Sequence, residues 1–207
     1  MSAKFTVKNF SVVVPIHNEE EIILDSAAQI YDICKRQGLD FQLIFVENGS
    51  VDETLPLVKK FIFKKKECQV HTLDLANYGN ALKKGFSIST NDIVVSFDID
   101  YFSEDFLKEA LKLKNSFSAI TASKRLVKSD DGRRLIRRIA TFTFVKILKV
   151  LFGTGLSDTH GMKAVRHKSI VAQIQNVVST EDLFDTELLI RIERSGEKIL
   201  EVPAIIN

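Results

Sequence analysis

The amino-acid sequence predicts an α/β protein with a mainly parallel central sheet flanked by helices. Three observations carry the prediction. Short apolar runs alternate with longer stretches of helical periodicity, the pattern of repeated βα units. Three of the runs, "SVVVPI", "LIFV" and "IVVSF", are apolar at consecutive positions rather than at every second one, so both faces of those strands are expected to be covered. Polar, ligand-like residues follow each run, and open α/β sheets bind their ligands beyond the carboxyl ends of their strands.

Taken in order, the first strand is "FSVVVPI" (10–16), followed by "HNEEE" and a helix at about 19–37. The second, "FQLIFV" (41–46), runs into "ENGSVDET", where Gly49 allows a turn and Asp52 can cap a helix at about 53–66. The third, "QVHTL" (69–73), precedes "LANYGNALKKG"; Gly79 and Gly85 bracket the start of a helix at about 80–89, where free N–H groups could meet an anion. The fourth, "DIVVSF" (92–97), stops at "DID", and Ser103 is placed to cap a helix at about 104–115 ahead of Glu104 and Asp105. The fifth is "FSAITA" (117–122), followed by "SKR". Beyond it the rhythm changes: basic "DDGRRLIRR", an apolar helix at about 134–152, the loop "GTGLSDTHG", helices at about 167–177 and 183–195, and a closing strand in "KILEVPAII".

Composition bounds the possibilities. A chain of 207 residues suits one full α/β domain, and no repeat or evident linker divides it, so a single domain over 1–207 is expected. The 45% hydrophobic and 27% charged fractions exclude a disordered or fibrous protein, and a net charge of +2 gives no global field pointing to nucleic acid. Cys34 and Cys68 lack the close pairing of metal or redox motifs and read as reduced thiols in a cytosolic setting. With no apolar leader and no run of 18 apolar residues, the chain as given is expected to be neither exported nor membrane-spanning.

Two aspartates at i and i+2 leaving a strand, Asp98 and Asp100, project the same way. They can chelate a hard divalent cation, or divide between the cation and a hydroxyl pair on a ligand. In isolation such a pair is more often a polar loop start that caps the next helix, and "ENGSVDET" alone is a turn with a cap. Their order along the chain changes that reading. "VVVPIHNEEE", "FVENGSVDET", "GNALKKG" and "DID", followed by "ASKR", "LSDTHGMKAVR" and "LFDTELLIRIERSGEKILEVP", resemble in content and order the motifs of the inverting family 2 glycosyltransferases of GT-A fold. Within that family they are most similar to the dolichyl- and polyprenyl-phosphate mannose and glucose synthases. The likeness runs from about Phe10 to Pro203, with His17 at a usual tyrosine, Glu47 and Asn48 in place of two aspartates, and one residue missing from "LSDTHGMKAVR".

The resemblance implies a donor-binding half at about 1–123 and an acceptor half at about 124–207. It implies that Pro15, His17, Glu19, Glu47, Asn48, Ser50, Gly79 and Asn80 surround the nucleotide, that Asp98 meets ribose or metal, and that Asp100 is the main protein ligand of Mg²⁺ or Mn²⁺. The exchanges at Glu47 and Asn48 leave UDP- and GDP-hexose donors both open. The implied reaction is transfer of a hexose to a polyprenyl phosphate with inversion at the anomeric carbon. Arg125, Arg133 and Arg134 are candidates for diphosphate or acceptor-phosphate contacts, because a guanidinium forks onto phosphate oxygens. Asp158, His160 and Lys163 are expected near the acceptor.

A lipid phosphate is already anionic near neutral pH and needs no strong general base. A hydroxyl acceptor would need one, and Asp182 in "TED" or Asp185 in "LFDTELL" would then supply it. A transferase acting on a soluble or polysaccharide hydroxyl, and a non-catalytic nucleotide-sugar-binding or scaffold subunit, are the competing readings. The segment 133–153 carries six cations within an apolar surface that nearly encircles the helix. It is either a buried helix with basic ends or a helix lying on a membrane interface. The lipid acceptor favours the second, and with it a position at the cytoplasmic face of a membrane.

Overall fold

The computed structural model describes residues 7–113, 116–123, 143, 146–159 and 161–204, the side chain of Asp182 excepted. Its centre is a seven-stranded sheet. Strand β1 (Asn9–Ile16) buries seven of its eight residues and lies in parallel between β2 (Asp40–Asn48) and β4 (Ile93–Ser96), while β3 (Cys68–Leu73) extends β2 in parallel. On the other side β5 (Ala119–Ser123) and β7 (Ile199–Pro203) pair in parallel, and β6 (Lys163–Arg166) runs antiparallel between β4 and β5. The resulting order is β3-β2-β1-β4-β6-β5-β7.

The consecutive apolar residues divide between two cores, as expected for strands covered on both faces. Val12, Val14, Leu43, Phe45 and Val95 join one cluster, whereas Val13, Ile44, Val46 and Val94 join the other. Helix α1 (Ile23–Arg36) covers the first face with the stripe Ile23, Ala27, Ile30 and Cys34, spaced for one side of a helix. It is joined there by α2 (Thr54–Ile62) and α4 (Glu104–Leu111), whose cap Ser103 accepts a hydrogen bond from the Phe106 amide at 3.3 Å. The second face is covered by α3 (Tyr78–Ile88), α6 (His167–Gln173) and α7 (Phe184–Arg194), with Leu82, Phe86, Phe184 and Leu188 buried between them and the sheet.

Several boundaries differ from the sequence expectation. Helix α1 begins at Ile23, after Asn18 has taken a positive φ of 53° and tied itself to the loop after β2. Helix α2 stops at Ile62 because Lys64 adopts φ 64° and turns the chain toward β3. Strand β6 was not anticipated: "KAVR" has only four residues, too few for a periodic signal, and pairing on both edges makes it a strand. Of the expected helix at 134–152, residues 143 and 146–152 are described, and all are helical; 146–152 form α5. The rest lies outside the described residues. No described helix is long and apolar enough to cross a membrane.

Candidate active site

Strand order reverses around β1, with β2 on one side and β4 on the other, so the connections leaving their carboxyl ends part and open a crevice. The loops on one wall hold each other. Asn18 accepts from the Val51 amide at 2.9 Å and donates its own amide to the Ser50 hydroxyl at 3.0 Å. The Glu19 amide donates to the Thr54 hydroxyl at 2.7 Å, and Asp52 accepts from the amides of Glu20 and Thr54 at 3.2 and 3.0 Å. Glu47, 4% exposed, turns its carboxylate onto the Ser50 amide and closes the turn. Gly49 makes that turn possible: its φ is +69°, and a Cβ there would stand 3.1 Å from the Ala76 nitrogen.

Asn48, 5% exposed, links three segments. Its side-chain oxygen accepts from the Asn77 amide at 2.7 Å, and its carbonyl meets His17 Nδ1 at 2.8 Å. A carbonyl can only accept, so His17 carries a proton on Nδ1, which leaves the neutral ring's Nε2 to accept from Asn18 Nδ2 at 3.1 Å. Asn77 in turn caps α3 through the Asn80 amide at 2.8 Å and holds the Glu181 amide at 3.1 Å. Gly79 is buried beneath this contact, where the chain around Glu181 passes so close that a Cβ would lie 2.4 Å from the Glu181 carbonyl oxygen.

The floor of the crevice is the "DID" segment. Asp98 and Tyr101 exchange backbone hydrogen bonds at 3.2 and 3.1 Å, which folds Asp98–Ile99–Asp100 into a tight turn directly beyond β4. Asp98 is half-buried and accepts from the Tyr78 hydroxyl at 2.8 Å; Asp100 is exposed. A cleft of about 210 Å³ gathers Pro15, Ile16, His17 and Glu19 from the end of β1, Asn48 from β2, Tyr78 from α3, and Asp98, Ile99 and Asp100. Glu47, Ser50, Gly79 and Asn80 do not line it; Glu47 and Ser50 build the loop after β2, Gly79 is buried in the first turn of α3, and Asn80 is exposed on α3.

The acids of the crevice feel one another. Burial pushes Asp98 above the ordinary aspartate range; Lys163 and the Tyr78 hydroxyl pull it down, and Asp100 and Asp185 push it up. Glu19 is raised by burial and then by Asp100 and Asp52, with His17 opposing. Such a concentration of negative charge is relieved by a cation. Among the described residues no three His, Cys, Asp or Glu side chains form a protein-only metal site. Asp98 and Asp100 instead fit an ion of the Mg²⁺ or Mn²⁺ kind, which is held by one or two carboxylates and completes its shell with phosphate oxygens and water.

In the second half of the chain, Lys163 opens β6 and is 1% exposed, its ammonium 2.6 Å from Asp185 Oδ2 on α7. Asp185 Oδ1 accepts from the Thr186 amide at 2.7 Å, and the Thr186 hydroxyl donates to Thr159 at 2.8 Å. Asp158 is buried, and its amide reaches Glu201 Oε1 at 3.3 Å. Thr186 also borders a groove of about 780 Å³ between α5 and α7, lined by Leu148, Phe152, Val178, Leu183 and Ile190 with Arg191 and Arg194. Arg125, Arg133, Arg134, His160 and the Asp182 side chain lie outside the described residues. Tyr78 and Asn77 were not singled out by sequence reasoning; both sit in the quoted "NYGN", but nothing in that string signals the partners they meet.

A seven-stranded, mostly parallel sheet with one antiparallel strand beside the aspartate-bearing β4, and a crevice at the strand ends, defines the GT-A class of transferase folds. Residues 11–174 match Glycosyl transferase family 2, and the chain belongs to that family. Among solved structures it is similar to a mannosyltransferase of Pyrobaculum calidifontis in complex with GDP-Man and Mn²⁺ (TM-score 0.65, 18% identity, 96% of this chain and 55% of that one). It is also similar to glucosyl-3-phosphoglycerate synthase of Mycobacterium tuberculosis with Mn²⁺, UDP and phosphoglyceric acid (TM-score 0.70, 21% identity, 95% and 69%). These likenesses establish the fold. Curated relatives include glycosyltransferase AglD of Haloferax volcanii, 24% identical over 93% of this chain and 32% of the relative. Another is undecaprenyl-phosphate 4-deoxy-4-formamido-L-arabinose transferase of Pectobacterium atrosepticum, 24% identical over 80% of this chain and 51% of the relative. The chain thus carries a family 2 glycosyltransferase domain and spans between a third and about half the length of these two relatives.

Proposed function

We propose that the protein transfers a hexosyl group from a UDP- or GDP-hexose to a polyprenyl phosphate, in one inverting displacement supported by Mg²⁺ or Mn²⁺. The observation that carries the proposal is the Asp98–Ile99–Asp100 turn on the floor of a cleft lined by the ends of β1, β2 and β4. Asp98 and Asp100 would hold the ion, whose charge stabilises the diphosphate as it leaves. Pro15, Glu19 and Asn48, which line the same cleft, would frame the nucleoside, with His17 fixed against Asn48. An acceptor phosphate oxygen forms the new bond to the anomeric carbon as the bond to the nucleoside diphosphate breaks, leaving its electron pair on the departing oxygen.

The setting of Asp185, one of the two candidate bases, supports a phosphate acceptor. Asp185 is 2% exposed, with one oxygen engaged by Lys163 and the other by the Thr186 amide, so it is poorly placed to take a proton from a hydroxyl. A phosphate acceptor needs no such step. The apolar groove beside Thr186, where Arg194 stands next to an Arg191 paired with Glu187 at 2.7 Å, and a relative named for undecaprenyl-phosphate transfer, favour an acceptor that joins an anion to a hydrocarbon chain. The exposed Val150, Leu151 and Phe152 on α5 support peripheral contact of that helix with a membrane surface, at the cytoplasmic face expected above.

A calorimetric screen of UDP and GDP, each with Mg²⁺ or Mn²⁺, tests the donor site, and transfer to a short-chain polyprenyl phosphate tests the acceptor. Asp100→Asn should keep the fold, since the residue is exposed, and lose at least tenfold in transfer. Failure of both nucleotides to bind, or full activity of that variant, refutes the assignment.

A further inference from the structure

We infer that Asn77 is a positioning residue for the acceptor: anchored at the nucleotide cleft, its side chain holds the turn Glu181–Leu183 in place as part of one wall of the groove between α5 and α7. The inference rests on the transfer reading above, in which that groove receives the hydrocarbon-linked phosphate. Asn77 Oδ1 accepts from two amides, that of Asn80 at 2.8 Å and that of Glu181 at 3.1 Å. Capping α3 needs only the first. The backbone amide of Asn77 donates to Asn48 Oδ1 at 2.7 Å, and Asn48 lines the cleft together with His17, which its carbonyl meets at 2.8 Å. The residue thus ties its backbone to the cleft and its side chain to the groove wall.

Glu181 is a residue that has to be held. Its φ of 54° lies in the left-handed region, which a residue with a Cβ disfavours. The chain just before it is secured by other means. Lys83 Nζ donates to the Val177 carbonyl at 2.9 Å, and Glu187 Oε2 accepts from the Val178 and Ser179 amides at 3.1 and 2.7 Å. The turn itself closes locally, the Leu183 amide donating to the Thr180 carbonyl at 3.3 Å, and it is tied to α3 through Asn77, above Gly79. A neutral hydrogen bond and the strain of one left-handed residue are of similar size, so losing the Asn77 oxygen lets Glu181 relax and the turn move. Leu183 moves with it. Leu183 lines the groove with Val178 and Ser179, so the groove loses the shape that seats the acceptor, while the Asn77 amide still holds Asn48.

Three variants decide. Asn77→Ala removes the oxygen, and Asn77→Asp keeps one for both amides. Gly79→Ala leaves the cap but presses on the turn, since its Cβ would stand 2.4 Å from the Glu181 carbonyl oxygen. Binding of UDP and GDP with Mn²⁺ is measured by calorimetry, and kcat and acceptor KM by transfer to a short-chain polyprenyl phosphate, all well below the unfolding midpoint. Asn77→Ala and Gly79→Ala should each raise acceptor KM at least threefold. In Asn77→Ala nucleotide Kd and kcat should change less than threefold, the signature of lost acceptor binding alone, and Asn77→Asp should keep acceptor KM within threefold of wild type. A fold that is merely weakened lowers the active fraction, and with it kcat, without moving KM. The inference is overturned by an acceptor KM within threefold of wild type in Asn77→Ala, by an equal rise in Asn77→Asp, or by a nucleotide Kd raised as much as KM. If Asn77→Ala does not fold, the acceptor KM of Gly79→Ala decides by the same threshold. If wild type transfers to no polyprenyl phosphate, the transfer reading fails instead, and hydrogen exchange of the Glu181 and Leu183 amides tests the tie: exchange at least threefold faster in Asn77→Ala supports it, and unchanged exchange refutes it.

Discussion

Replacing Gly79 by alanine should separate the two sides of the crevice by a measurable amount. The added Cβ would stand 2.4 Å from the Glu181 carbonyl oxygen, 2.6 Å from its nitrogen and 2.9 Å from Phe184 Cβ. Two of these are backbone atoms, which cannot rotate away, so the 181–184 segment must shift by roughly 1 Å to reach ordinary contact; overpacking of this kind costs about 1–3 kcal/mol. Alanine in the first turn of α3 returns up to about 1 kcal/mol of helix propensity. With that return in full the net is a loss of roughly 0–2 kcal/mol, to which loss of the Glu181–Asn77 hydrogen bond adds about 1 kcal/mol, and at this chain length each kcal/mol lowers the unfolding midpoint by about 2–4 °C. The displacement also breaks the 3.1 Å bond from the Glu181 amide to Asn77, which itself donates to Asn48 in the cleft. Thermal unfolding followed by circular dichroism reads the effect, with exposed Asn80→Ala as the neighbouring control. A Gly79→Ala midpoint within about 1 °C of wild type, or an equal fall in the control, would refute the reasoning.

Thr121 on β5 has a buried hydroxyl with no hydrogen-bond partner among the described residues, so Thr121→Val should leave urea stability unchanged or raise it by up to about 1 kcal/mol; a clear loss would mean that the hydroxyl is satisfied. Glu187 is held at a pKa of about 2: burial, which alone would raise it, is outweighed by Ser179, Arg191 and the Val178 amide. Because the folded value is depressed, this contribution is fully present above the ordinary 4.5 and is lost as pH falls toward about 2. Glu187→Gln should therefore be less stable at neutral pH and show a shallower loss over that window than wild type, which parallel denaturation curves at several pH values would check.

The local parts of the molecule were legible because they are local. Consecutive apolar residues in β1 and β2 signalled burial on both faces, Ser103 ahead of Glu104 and Asp105 signalled a capped helix, and "DID" signalled two acids at a strand end, which the structure folds into a turn. The ordered motifs pointed to the family that residues 11–174 then matched. Other features left no local trace. Strand β6 exists because β4 and β5 leave a slot that four residues fill, a fact that lies in its neighbours rather than in "KAVR".

The sequence by itself thus determined the class of fold, since periodicity along a chain reports burial, and the resemblance of its ordered motifs pointed to the family and to Glu19, Asp98 and Asp100 among the acids of the crevice. Only the tertiary structure decided how those residues are used. It joined Tyr78 to Asp98 across 20 positions, Lys163 to Asp185 across 22, and Glu181 to Asn77 across 104. Each of these bonds depends on where separate helices and strands dock, and docking is set by the packing of two opposed cores rather than by any propensity of the residues that meet.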